Sequence, residues 1–251
     1  MLKRIIPVLL LSNRGLIKTQ QFQDPKYIGD PINAVKIFSE KEVDELVFLD
    51  IHASKRNQDP DFDLIKDIAS ESYMPFSYGG GIKSLSQAEK ILKNGAEKII
   101  INNSFLFNHA LASEMISAFG SSSVVACIDV KKNILGKYKV YSHVQEKSID
   151  KDLKDCLEMS ENIGFGEVIV QSVDFDGCMR GYDKNLILKV RESISAPLVA
   201  LGGAGSLEDI RDILNAGADA AAAGSLFTFY GKYRAVLITY PEYKEIRELL
   251  K

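Results

Sequence analysis

The sequence predicts an α/β protein, a single (β/α)8 TIM barrel with a pseudo-twofold half-barrel repeat, and three observations lead there. Eight short apolar runs rich in β-branched residues recur along the 251 residues, stretches of helical period separate them, and the two halves repeat each other at a constant offset. Near-continuous apolar runs suit strands of a parallel sheet buried on both faces, and their alternation with helices implies βα units. The length is ordinary for one such barrel, so residues 1–251 are read as one domain.

In chain order, the first run is RIIPVLL at 4–10, too short to cross a bilayer and lacking a signal-peptide cleavage pattern, so a buried strand explains it. A long first loop holding Lys18 follows, and Asp30-Pro31 then opens a helix as N-cap and first helical residue. The second and third runs are LVFLDI at 46–51 and PFSYGGG at 75–81. Ser84 and Gln87 read as a capping box for a helix whose apolar stripe is Leu85, Ala88, Ile91 and Leu92, with Gly95 where a left-handed residue ends it. KIIINNS at 98–104, VVACIDV at 124–130 and EVIVQSVD at 167–174 supply three further strands. PLVALGG at 197–203 leads into a helix over 206–216 with Leu207, Ile210, Ile213 and Leu214 inward and Gly217 after it, and DAAAAGS at 219–225 completes the eight.

An offset of 122 residues aligns GGGIKSLSQAEKILKNGAEK at 79–98 with LGGAGSLEDIRDILNAGADA at 201–220. In that register Glu45 meets Glu167, Gly80 meets Gly202, Gly95 meets Gly217 and Asn103 meets Ser225. Each half then supplies about four βα units, and two halves close a barrel. Eight strands do not by themselves prove closure, and an open doubly wound sheet is the alternative.

Composition narrows the function classes. With 46% hydrophobic and 26% charged residues and a net charge of -3, the chain has core-building material but no basic face for nucleic acid. Its three cysteines, Cys127, Cys156 and Cys178, are scattered and lack metal-ligand spacing, so they read as reduced thiols in a cytoplasmic protein; neither a metal nor a cofactor is expected, and no membrane partner.

In a barrel of this kind chemistry sits at the C-terminal ends of the strands. Gly79-Gly80-Gly81 ends the third run and Gly202-Gly203 the seventh, and glycines there leave backbone N–H groups open to an anion. Asn102-Asn103 and Gly224-Ser225 follow one strand later in each half and add side-chain donors beside helix starts. Two anion sites facing each other across one mouth suit a small substrate with a phosphate at each end. Asp129 ends an otherwise apolar run, which marks it as a general acid or base unless it caps a helix or pairs with Lys131. The position symmetric to it, by matching RIIPVLL to VVACIDV, is the apolar Leu10. Asp50, Asp174 and Asp176 lie at or just beyond strand ends, where they bind sugar hydroxyls or form turns; the DFDG sequence favours turns equally for the last two.

At the opposite ends, Arg4, Glu45, Lys98 and Glu167 each begin an apolar run, on strands 1, 2, 4 and 6, with alternating sign. They predict a ring of charge on the barrel floor. The three histidines form no pattern with a serine or cysteine nucleophile, and a surface role is expected of His52.

Over essentially its full length the chain resembles HisF, the cyclase subunit of imidazole glycerol phosphate synthase. The shared segments are RIIP, DELVFLDI, GGGI, IDVK, EVIVQSVDFDG, LGGAG and GADAAAAGSLF. In that family a separate glutaminase, HisH, makes ammonia that crosses the barrel to the active site. The resemblance implies that Arg4, Glu45, Lys98 and Glu167 are the gate of the ammonia path. It implies that Gly81, Asn102 and Asn103 hold one substrate phosphate and Asp176, Gly177, Gly203, Gly224 and Ser225 the other. Asp129 matches one catalytic aspartate, and Lys18 the loop lysine.

The second catalytic aspartate of the family falls on Leu10, its strand-6 threonine on Gln171 and its strand-7 serine on Leu201. Leucine neither takes nor gives a proton, and losing one positioned acid/base group costs roughly 10²–10⁴ in rate. A retained gate with an altered centre implies an ammonia-handling synthase subunit, paired in a heterodimer with a HisH-like glutaminase, that serves a different acceptor. HisF-like paralogues of this kind are associated with amidation of bacterial surface sugars, together with a separate amidotransferase. Two alternatives remain: an authentic histidine-pathway cyclase in which Asp50 or Asn13 substitutes for the missing acid, and a noncatalytic barrel that only activates the glutaminase. A HisA-like isomerase shares both phosphate sites but has no need of the gate.

Overall fold

The computed structural model describes residues 3–250. All eight predicted strands form: β1 (Arg4–Ser12), β2 (Leu46–Asp50), β3 (Phe76–Gly79), β4 (Lys98–Ile101), β5 (Val124–Lys132), β6 (Glu167–Ser172), β7 (Leu198–Leu201) and β8 (Ala220–Ala223). Each is parallel to its neighbours, β8 pairs with β1, and β5 pairs with β6, so the sheet closes on itself and the open doubly wound alternative is excluded. Two apolar sets result, as closure requires. One lies between the sheet and the surrounding helices. The other fills the barrel with Ile6, Val8, Val47, Ile100, Val125, Cys127, Ile169, Val199, Ala220 and Ala222. Among the described residues no helix is long and apolar enough to cross a membrane.

Helix starts follow local sequence. Asp30 caps α1 (Pro31–Glu40), accepting from Asn33 N with Pro31 first in the helix. Ser206 and Asp209 form a reciprocal capping box at the helix Leu207–Asn215. The box expected at Ser84 is only half made: Ser84 accepts from Gln87 N, but Gln87 Oε1 accepts from Lys83 N, one residue before the cap. The longer Gln side chain overshoots the cap N–H that the shorter Asp209 meets.

The first loop also differs from expectation. Residues 15–29 are an antiparallel hairpin, Gly15–Gln20 with Gln23–Gly29, that extends β1 over the mouth, and Lys18 sits in its first strand. A second hairpin follows β5, whose Val130–Lys132 pairs with Tyr138–Val140. Their strands mix polar with apolar residues, as in GLIKTQ, QDPKYIG and YKVYS, so no continuous apolar run marks them.

The pseudo-twofold is exact in register at the mouth. Leu10 stands opposite Leu49 across β1 and β2, and Asp129 stands opposite Gln171 across β5 and β6. Since 49 and 171 are related by the repeat offset, Leu10 is the structural counterpart of Asp129.

Candidate functional site

At the N-terminal end of the barrel the four charged residues predicted from the strand starts meet in one closed ring. Arg4 Nη1 donates to Glu45 Oε2 at 2.7 Å and Arg4 Nη2 donates to Glu167 Oε1. Lys98 Nζ bridges both oxygens of Glu45, at 3.0 and 3.1 Å, and reaches Glu167 Oε2 at 3.4 Å. Ser77 Oγ adds a donor to Glu45 Oε1 at 2.8 Å. Every carboxylate oxygen therefore has a partner. Burial of Arg4 acts against its charge, yet the two carboxylates hold its pKa above the ordinary arginine value.

At the opposite end the strand termini line two cavities. The larger, of about 200 Å³, runs from Gly80-Gly81 and Asn102-Asn103 to Asp129, with Asp50 on its β2 side. Gly80 has φ +127 and Gly81 φ +70, conformations that only glycine adopts without strain, and Asn103 begins the short helix Asn103–Phe107. The smaller, of about 20 Å³, is lined by Lys18, Asp176, Gly177, Gly202, Gly203, Gly224 and Ser225. Gly202 and Gly203 again have positive φ, and Ser225 begins a 3-10 turn. Leu10 and Gln171 line both cavities, so the two lie side by side across the mouth. Of the four buried side-chain polar atoms left without a hydrogen-bond partner among the described residues, Asn102 Oδ1 belongs to a residue lining the larger cavity and Ser225 Oγ to one lining the smaller. Unpaired buried polar atoms are rare and mark places where a ligand or water completes the bonding.

Lys18 is 7% exposed, with its ammonium 3.0 Å from the Val8 carbonyl and packed so closely on Gly224 that a Cβ there would fall on it. Burial lowers its pKa to about 8, and the charge of Asp176 only partly opposes this. Asp176 is pushed up by its own burial, with Lys18 and hydrogen bonds from Phe22 N and Thr19 Oγ1 working the other way. Asp176 thereby ties the first hairpin to the loop after β6. Below about pH 8 both folded and unfolded chains carry the Lys18 proton, whereas between about 8 and 10.5 only the unfolded chain does. Stability contributed by this group therefore rises with pH through that window. Urea unfolding is expected to show the rise, and a Lys18→Met chain to lack it.

Asp129, 4% exposed, is neither a helix cap nor a partner of Lys131. Its Oδ2 accepts from Asn102 Nδ2 at 3.2 Å and lies 3.7 Å from His143 Nδ1, and its Oδ1 lies 4.0 Å from Cys127 Sγ. Opposite it, Leu10 is 7% exposed and offers only methyl groups. Gln171 donates to Asp176 Oδ1 at 3.3 Å, and Leu201 lines the smaller cavity. Asp50 lines the larger cavity, although its Oδ1 is engaged by His52 N and Ala53 N. Asn13 does not belong here: its Oδ1 accepts from Arg56 Nη1 at 2.8 Å, on the exposed side of the hairpin. Asp174 serves its turn, accepting from Lys132 N at 2.8 Å.

Phe22, Tyr141 and His143 also line the larger cavity and were not singled out from sequence. All three come from the two hairpins over the mouth, and Phe22 meets Tyr141 edge to face at 5.9 Å. The signal that would have found them is the fold-back of the hairpins, which brings residues 129 and 141–143 together.

Residues 4–234 match the family described as "Histidine biosynthesis protein". The chain is 45% identical over 245 residues, 97% of its length and 98% of the relative's, to the "Putative imidazole glycerol phosphate synthase subunit hisF2" of Pseudomonas aeruginosa. It is 49% identical over 240 residues, 95% of its length and 94% of the relative's, to the "Putative imidazole glycerol phosphate synthase subunit HisF" of Leptospira borgpetersenii. It is also 39% identical over 234 residues, 93% and 92% of the two chains, to the "Imidazole glycerol phosphate synthase subunit HisF" of Petrotoga mobilis.

Proposed function

Because this chain belongs to the HisF family of imidazole glycerol phosphate synthase subunits, we propose that it works as the ammonia-handling subunit of a two-component glutamine amidotransferase whose acceptor is no longer the family's usual substrate. The partner is a HisH-like glutaminase in a heterodimer, and the destination of the nitrogen is a phosphorylated or sugar acceptor, of the kind amidated on bacterial surfaces with the help of a separate amidotransferase. The observation that carries this reading is a split between the two ends of one barrel. The floor keeps a complete four-residue ring, while the mouth has leucine at the twofold counterpart of Asp129.

The ring suits an ammonia gate. Neutral ammonia is small and tolerates the apolar lumen, whereas a charged ammonium would have to shed its water. Ion pairs with two cations and two anions open and reclose without leaving a net charge buried. At the mouth, Gly81, whose N–H is donated to Ser54 Oγ, lines one candidate phosphate site together with Asn102 and Asn103. Gly177, Gly203, Gly224 and the unpartnered Ser225 hydroxyl, with the Lys18 ammonium, offer another. Gln171 and Asp176 stand between them.

The test is ammonia-dependent turnover of PRFAR, the phosphoribulosyl formimino carboxamide nucleotide that HisF cyclases convert. The purified chain is expected to be inactive, because Leu10 supplies no proton. Robust turnover would make it an authentic histidine-pathway cyclase. Asp50 would then be the substitute to examine, since it alone of the two proposed stand-ins lines the cavity.

A further inference from the structure

His143 is one of only three histidines, and the fold brings it to the carboxylate most deeply set in the mouth. The hairpin after β5 pairs Val130 with Val140, which places Tyr141 beside Asp129 and His143 one same-face step further on. The turn that carries His143 is held from both sides: Ser142 Oγ accepts from Gln145 N at 3.2 Å, and Tyr141 and Ser142 pair with Ser148 and Lys147. His143 Nδ1 lies 3.7 Å from Asp129 Oδ2, and its ring lines the larger cavity together with Leu10, Asn102 and Gln171. No lysine or arginine is within ion-pair reach of Asp129 among the described residues. Glu146, the other acid lining that wall, is occupied by Lys55 Nζ at 2.5 Å. The imidazole is thus the one cation-forming group beside Asp129, and Asp129 the one carboxylate beside it.

We infer that His143 is the proton-transfer group of this mouth, and that Asp129 is a positioning residue that acts through it. The carboxylate keeps Nδ1 protonated and turned inward, which leaves the Nε2 lone pair facing the cavity. A small rotation of the ring closes the 3.7 Å gap to a hydrogen bond in the free chain. The inference rests on the reading of the mouth as a site of ammonia addition. When ammonia adds to a carbonyl carbon, its lone pair forms the C–N bond and the C=O π pair moves to oxygen. The proton shed by nitrogen passes to Nε2 and on to that oxygen, so the imidazole ends as it began. One residue then serves both proton transfers, and the leucine at position 10 costs this reaction nothing.

The first test is made on the free chain and needs neither glutaminase nor acceptor, so its failure is distinct from failure of the amidotransferase reading. In ¹⁵N-labelled protein above the imidazole titration, assigned by loss of the signal in His143→Gln, His143 is expected as the Nδ1–H tautomer. In Asp129→Asn it is expected to revert to the Nε2–H form that free histidine prefers. An Nε2–H tautomer in the natural chain, or an Nδ1–H tautomer that survives Asp129→Asn, overturns the inference. The second test is turnover. In the Leu10→Asp chain supplied with PRFAR and ammonia, His143→Gln is expected to lower kcat roughly 10²-fold with KM little changed. An unchanged kcat overturns the catalytic role.

Discussion

A Leu10→Asp chain is expected to convert PRFAR with ammonia where the natural chain does not, gaining roughly 10²–10⁴ in rate, the contribution of one positioned acid/base group. The geometry for the gain is in place. Position 10 is the twofold counterpart of Asp129 and lines both cavities. The new carboxylate also has a cation near at hand, since Lys18 lines the smaller cavity together with position 10. Replacing a buried leucine with a carboxylate still costs stability, more than the about 1–3 kcal/mol of an imperfectly paired neutral polar group unless the carboxylate is paired. Steady-state kinetics with PRFAR and ammonium, alongside urea unfolding of both chains, measures the two effects. A folded variant with no gain would mean that the mouth has changed in more than its missing acid.

The second large effect is expected at the floor. Glu45 accepts from Arg4, Lys98 and Ser77, so Glu45→Ala leaves two partly buried cations competing for Glu167. Breaking a fully buried pair from one side costs about 3–5 kcal/mol, an upper bound for this partly exposed ring. For a chain of this size that lowers Tm by about 2–4 °C per kcal/mol. Replacing all four ring residues by apolar ones of similar volume is expected to behave differently. Stability is then largely kept, since apolar substitutes for buried ion pairs are often neutral, but glutamine-dependent delivery of nitrogen is lost. Calorimetric unfolding of the two variants, with glutamine and ammonium compared as nitrogen sources, separates the ring's structural contribution from its gating. Equal use of glutamine by the apolar-ring variant would remove the gate.

Much of this was legible in the chain itself, for physical reasons. Strands buried on both faces must be nearly all apolar, so the eight runs stood out, and glycines at positive φ kept one spacing in both halves because both make the same turn. The floor ring could be read from charged residues at four strand starts, because parallel strands in a closed barrel bring their starts together. The two hairpins were not legible. In the first, one strand is buried and the other largely exposed although both carry polar residues, and the pairing of both hairpins depends on turns that carry no strong signal. Lys18 was consequently placed in a loop, although it is fixed in a strand with its ammonium buried. Phe22, Tyr141 and His143 were missed for the same reason. His143 in particular gains its meaning only from a register that folds it back over Asp129.

The central claim is that this barrel receives ammonia from a glutaminase, and the most direct measurement is the rate of glutamine hydrolysis by a purified HisH-like subunit with and without the chain. A stable one-to-one complex and a glutaminase rate that rises on mixing are expected. No complex and no stimulation would contradict the claim, and the charged ring would then be only the floor of a barrel.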